Sequence, residues 1–258
     1  MAIRFGVCAD ISDIPVLVKA GYDYLEYSFQ KLVQLSDDEY QNILNQVKQY
    51  NMKVESCNCF FAAGIRIVGD DVNYEMIEEY AEKGMKRFAA LGGSVAVVGS
   101  GKARTFPEGY DYQKAYGQFM KVLDICGNVA GKYGIQIAVE PLQKKETNLI
   151  HTVSEGIELC KQLKNPNVKC LVDFYHVFMN GEPLDAVEKS EGMLIHAHLA
   201  RPNIDRCMPR EEDMDACRNY AKALGKCGYA GRMSLEGNMG PDLEATVLEM
   251  RERLSVFV

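Results

Sequence analysis

In Ile135-Gln136-Ile137-Ala138-Val139-Glu140 the branched apolar residues take the odd positions, and Gln136, Ala138 and Glu140 share the other face. A strand sends successive side chains to opposite faces, so this alternation describes a strand with one wholly apolar face and one mixed face. The same split recurs in Val168-Lys169-Cys170-Leu171-Val172-Asp173 and in Arg232-Met233-Ser234-Leu235-Glu236, while His196 and His198 share one face of Met193 to Leu199. Strands with two unlike faces suit a parallel barrel, whose outer side packs on helices and whose inner side is layered.

Eight such strands are expected, near 3–8, 22–27, 53–59, 94–99, 135–140, 168–173, 193–199 and 231–236, alternating with helical patterns. Ser36 and Glu39 have capping-box spacing, and Tyr40, Ile43, Leu44, Val47 and Tyr50 then recur at helical intervals. A second helix carries Ile77, Tyr80, Gly84, Phe88 and Leu91 up to Gly92-Gly93. A third carries Tyr112, Phe119, Val122, Cys126 and Val129 and stops at Gly134. Thr152 and Glu155 repeat the box, Asn165-Pro166 closes that helix, and a last helix runs from about Leu243 to Leu254. With right-handed crossovers, eight βα units predict a closed (β/α)8 TIM barrel, expected as a single domain over 1–258.

A chain of 258 residues, 47% of them hydrophobic, is the right size to bury one barrel core. The net charge of −7 argues against nucleic acid, whose partners usually display a basic field, and favours a small polar metabolite. Nine scattered cysteines make no disulfide framework and point to a reducing cytoplasm. Cys57 and Cys59 are expected as co-facial strand residues, since no second cysteine pair stands at zinc-site spacing. The N-terminus has no signal-peptide pattern and no apolar stretch reaches membrane-spanning length, so no membrane association is expected.

Glu140, Asp173, His198 and Glu236 each close an apolar run and open a polar stretch. Parallel strands present their C-terminal ends on one side, so these four converge there. Three carboxylates brought together repel unless a cation neutralises them, and with one imidazole they suit one divalent ion. Mn²⁺ is the expected ion, with Mg²⁺, Co²⁺ or Zn²⁺ as alternatives. Taken singly, each acid is equally well read as a solvated boundary residue or a helix N-cap. His196 is expected as a core histidine hydrogen-bonded inside the barrel, and His151 as a loop or helix-start residue. Glu26 is open between supporting a neighbour of the metal and pairing with a buried base.

Glu140-Pro141-Leu142-Gln143-Lys144-Lys145-Glu146-Thr147-Asn148 resembles the Glu-Pro-Leu-Asn-Arg-Tyr-Glu-Thr-Asn signature of the xylose-isomerase-like sugar isomerases and epimerases, particularly the ketose 3-epimerase branch. Asp173-Phe174-Tyr175-His176 is similar to that family's Asp-x-x-His element. His196-Ala197-His198, followed by Arg206 and Pro209, resembles its His-x-His segment and downstream Arg-x-x-Pro. The resemblance implies metal ligation by Glu140, Asp173, His198 and Glu236, catalysis by Glu140 and Glu236, and substrate binding by Glu146, His176 and Arg206. Gln143, Lys144 and Lys145 depart from the pattern. Arg201-Pro202 lengthens the loop, so Arg201 competes with Arg206 for the substrate role.

The implied chemistry is a metal-dependent epimerisation or aldose–ketose isomerisation of a free or phosphorylated ketose. One glutamate would take a proton beside the carbonyl, and the other would return one through a metal-stabilised enediolate. An inosose dehydratase would begin with the same step, but Leu199-Ala200-Arg201 lacks the Lys-Asp pair of that branch. An abasic-site endonuclease would need more ligands than four histidines allow. A non-catalytic sugar-binding protein would have no use for both acids. Barrels of this kind often associate through helices near the active face, which leaves a homo-oligomer open without fixing a symmetry.

Overall fold

The computed structural model describes residues 3–257; Met1, Ala2 and Val258, at the ends of the expected domain, lie outside the described residues. Eight parallel strands close into a barrel in chain order: β1 (Arg4–Cys8), β2 (Tyr24–Ser28), β3 (Val54–Asn58), β4 (Val95–Val98), β5 (Gln136–Val139), β6 (Val168–Asp173), β7 (Leu194–Leu199) and β8 (Arg232–Leu235). Every boundary lies within two residues of the expectation from alternation.

The helices begin where their caps require. Ser36 Oγ accepts from Glu39 N while Glu39 accepts from Ser36 N, opening the helix Asp37–Gln49. Thr152 and Glu155 do the same for Val153–Leu163. Helices Tyr74–Ala90 and Tyr112–Lys132 turn Ile77, Ala81, Met85 and Phe88, and Phe119, Val122, Cys126 and Val129, onto the outer face of the sheet, where all are buried. Burying each of the larger apolar side chains contributes about 1.5–3 kcal/mol, so this outer layer is the principal source of stability.

The barrel interior is separate from that layer and only partly apolar. Val95, Val97, Ala138 and Leu171 form their own cluster, against which Ile195 packs. Two register shifts shape the rest. Between Leu25 and Glu26 the pairing with β3 skips Glu55, and between Cys170 and Leu171 the pairing with β7 skips Ile195. Each bulge brings a side chain inward out of phase. At the barrel floor, Glu55 accepts two hydrogen bonds from Arg4, at 2.7 and 2.6 Å, and one from Arg232 Nε at 2.6 Å. One sequence expectation needs correcting. β3 ends at Asn58, and Cys59 stands beyond it, exposed and at φ +47°, because the chain turns off the sheet there; only Cys57 is a buried strand residue.

Candidate active site

Strands β5 to β8 bring four side chains to the C-terminal mouth, Asp173 and His198 from within β6 and β7 and Glu140 and Glu236 from the residue that follows β5 and β8. Glu140, Asp173, His198 and Glu236 each offer one ligand atom, and these atoms lie within 4.8 Å of one another. His198 Nδ1 is 3.1 Å from Glu140 Oε1 and 3.0 Å from Glu236 Oε2. Asp173 serves two ends: its Oδ1 accepts from Tyr175 N at 2.7 Å, capping the helix Phe174–Asn180, while Oδ2 faces the cluster. The N-cap alternative weighed for a strand-end acid therefore holds for Asp173 alongside its place in the group.

The electrostatics are those of crowded acids around a cation. Burial and the Glu236 charge raise the Glu140 carboxyl above its usual range. Burial pushes Glu236 the same way, but His198 and Arg206 outweigh it and hold that carboxyl well below its usual range. Burial opposes charge on His198, yet Glu236 and Glu26 on either side hold its imidazole well above the usual value. A ring nitrogen set between two carboxylate oxygens needs a positive charge there, either its own proton or a metal ion. The residues present thus fit a divalent ion, which Glu140, Asp173, His198 and Glu236 would hold.

The three expected substrate residues line the same cavity of about 510 Å³, together with Glu140 and Glu236. His176 is buried; its Nε2 lies 3.5 Å from Asp173 Oδ2 and has no hydrogen-bond partner among the described residues. Glu146 accepts from Gln143 Nε2 at 2.8 Å. Arg206 Nη2 bonds Asp173 Oδ2 at 2.7 Å and Glu236 Oε2 at 2.5 Å, and its guanidinium stacks 4.8 Å from the Tyr175 ring. Arg201 is turned elsewhere, paired with Asp205, Glu212 and Asp213, so Arg206 is the arginine at the cavity. His151 stands just before the helix Val153–Leu163, in a loop as expected.

Several contributors escaped the sequence reading. Asn58 donates from Nδ2 to Glu236 Oε1 at 2.7 Å, and as the last inward residue of β3 it was open to the rule that found the acids. Gly99 leaves room for Glu140: a Cβ there would sit 2.1 Å from Glu140 Oε2. Arg104, fully buried, donates to the Glu140 carbonyl at 2.8 Å. Phe61, Ile65, Ala103 and Leu142 supply an apolar wall, and no periodic pattern announces it.

The profile of the xylose isomerase-like TIM barrel matches residues 14–255. The chain belongs to the xylose isomerase-like TIM-barrel family. The match takes in β2 to β8 of this family's barrel and with them all four clustered side chains. D-psicose 3-epimerase of Agrobacterium fabrum (strain C58) is 22% identical over 251 residues, covering 90% of this chain and 82% of the relative. Among solved structures, D-psicose 3-epimerase in the presence of D-fructose superposes with a TM-score of 0.82 at 16% identity, covering 98% of this chain and 97% of the other. D-psicose 3-epimerase from Clostridium cellulolyticum H10, solved with D-tagatose, gives 0.83 at 18% identity, covering 99% and 98%. The structural likenesses establish the xylose isomerase-like fold, and the named relatives are isomerase-class enzymes.

Proposed function

We propose that this protein is a metal-dependent sugar epimerase or isomerase acting on a ketose, built as a single barrel domain. The observation that carries the reading is the convergence of two oppositely tuned glutamates, Glu140 and Glu236, on one cavity with Asp173 and His198. The epimerase names of relatives support it. Nine cysteines without a disulfide among them fit a cytoplasmic setting, and no helix among the described residues is long and apolar enough to cross a membrane.

A divalent ion in this group, with Mn²⁺ expected, would supply Lewis-acid polarisation of a carbonyl and its neighbouring hydroxyl. Glu236, held ionised, takes the proton from the carbon between them. Glu140, on the other side of the cavity's acid cluster, returns one to the opposite face and inverts that carbon. Aldose–ketose isomerisation would instead begin with removal of a proton from the terminal hydroxymethyl carbon on the other side of the carbonyl and end with its delivery to the carbonyl carbon. His176, Glu146 and Arg206 bind the substrate's remaining oxygens. The apolar wall of Phe61, Ile65 and Leu142 faces its carbon skeleton and limits water at the reacting carbon.

The test is incubation with free and phosphorylated ketoses in D₂O with Mn²⁺, Co²⁺ or Mg²⁺, followed by NMR. Deuterium at the carbon beside the carbonyl, with the epimer or aldose accumulating, is the expected result. Saturable sugar binding with no exchange under any of these conditions would make the protein a binding module and overturn the proposal.

A further inference from the structure

Beneath the acid cluster lies a buried carboxylate that the proposed reaction does not use. Glu26 stands on β2 with a fully buried side chain and four hydrogen-bond partners. Among the described residues its Oε1 hydrogen-bonds only with His198 Nε2, at 3.0 Å. Its Oε2 contacts His196 Nε2 at 2.7 Å, Ser56 Oγ at 2.8 Å and Ser234 Oγ at 2.5 Å. An ionised carboxylate only accepts, so every partner must donate. Both histidines therefore carry a proton on Nε2. Ser234 spends its single proton on Glu26, so the Tyr24 hydroxyl, 2.8 Å away, donates to Ser234. The unpartnered Nδ1 of His196 agrees with this assignment, since it is left as a bare lone pair.

His198 is thereby oriented from below. With Nε2 engaged by Glu26, Nδ1 is the nitrogen that faces Glu140 and Glu236. We infer that Glu26 is a positioning residue, which fixes the ring orientation and tautomer of His198 so that the Nδ1 lone pair faces the metal centre. The inference rests on the metal-centre reading proposed above. A ligating imidazole whose far N–H is held by a carboxylate is better aimed and more basic than a free one. Loss of such a partner typically weakens metal binding about 10–100-fold.

Glu26→Gln keeps the shape and removes the acceptor-only character. If its amide NH₂ turns to His198, two donors oppose each other and the ring must move its proton to Nδ1, toward the cation. If it turns to the other side, it opposes Ser56, Ser234 and His196. Titration with Co²⁺, followed by visible absorption, is expected to show the dissociation constant rising about 10–100-fold in E26Q. Ser234→Ala, which removes an Oε2 partner but leaves the bond to His198, should stay within about threefold of the wild type. Equal weakening in both variants, or unchanged affinity in E26Q, would reduce Glu26 to a packing role.

Nitrogen-15 NMR of the histidine rings in the Zn²⁺-loaded wild-type protein needs no variant. It should show the His198 proton on Nε2, and finding it on Nδ1 overturns the inference even if E26Q does not fold. The two proposals fail separately. Glu26-dependent Co²⁺ binding without ketose proton exchange would end the epimerase proposal alone, and exchange with full Co²⁺ affinity in E26Q would end this one alone.

Discussion

Asn58 Nδ2 donates to Glu236 Oε1 at 2.7 Å, so the end of β3 fixes a carboxylate that follows β8. The bond leaves Oε2 of the same group to face His198 and Arg206. Asn58→Ala should lower kcat about tenfold, the equivalent of one hydrogen bond to a charged group, with little change in KM or in the melting temperature. Steady-state kinetics with the most active ketose from the proposed exchange screen decide the point, and a wild-type kcat would remove Asn58 from the arrangement of Glu236.

Glu140→Gln and Glu236→Gln each remove a proposed proton-transfer group and keep its shape. Turnover should fall by at least about 10²–10⁴-fold in either variant, while circular dichroism and thermal melts stay close to the wild type. Near-wild-type solvent exchange in one of them would exclude that glutamate from proton transfer.

Gly99 borders Glu140 so closely that any side chain must displace the carboxylate, since a Cβ would lie 2.1 Å from Oε2. Gly99→Ala is expected to weaken Mn²⁺ binding and to reduce turnover at saturating metal, leaving the fold intact. Calorimetric titration with Mn²⁺ checks this. An unchanged dissociation constant would mean that Glu140 has other room to occupy.

The raised basicity of His198 would give metal binding at the proposed centre a pH dependence. In the metal-free protein the protonated ring stabilises the fold fully below its ordinary value of 6.5, and this contribution is lost as pH rises through the higher folded value. A cation at Nδ1 must displace that proton. Binding should therefore release about one proton per ion near neutral pH, and apparent affinity should weaken as pH falls. Calorimetry in two buffers of different ionisation heat measures the release directly. Its absence would show that His198 is neutral before the ion arrives.

At the other end of the barrel, Glu55 ties Arg4 to Arg232. Glu55→Ala leaves two guanidinium groups without their counter-charge. The expected cost is about 1–3 kcal/mol, below that of a fully buried pair because Arg4 is half-exposed. Burial raises the Glu55 carboxyl, but its two arginines more than offset this and leave it low. Its contribution is thus present above the ordinary 4.5 and is lost as pH falls through the lower folded value. Denaturant unfolding of the wild type and E55A should differ at neutral pH and converge in acid. Equal stability at neutral pH would make the cluster energetically idle.

Alternation along each strand made the acids and His198 legible, because each is the last inward residue before its loop. It misleads wherever a bulge shifts the phase. Parity places Leu194 with His196 inside the barrel, yet Leu194 joins the outer core and Ile195 turns inward, and Glu55 enters the floor for the same reason. The helix Phe174–Asn180 is too short to show a 3.6-residue stripe and is specified by its Asp173 cap. The mouth residues of 59–66 and 100–104 carry no period at all; their positions follow from long-range contacts such as Phe61 N to Ser100 Oγ and Arg66 to the carbonyls of Lys102 and Thr105.

The two sides of the rim are not equally free to vary. Residues 60–66 exchange no hydrogen bond with Glu140, Asp173, His198 or Glu236 among the described residues, whereas 99–104 abut Glu140 through Gly99 and Arg104. Changes in 60–66 therefore reach Glu140 only indirectly, through the 100–105 segment that Phe61 and Arg66 hold, while changes after the fourth strand reach it at first hand.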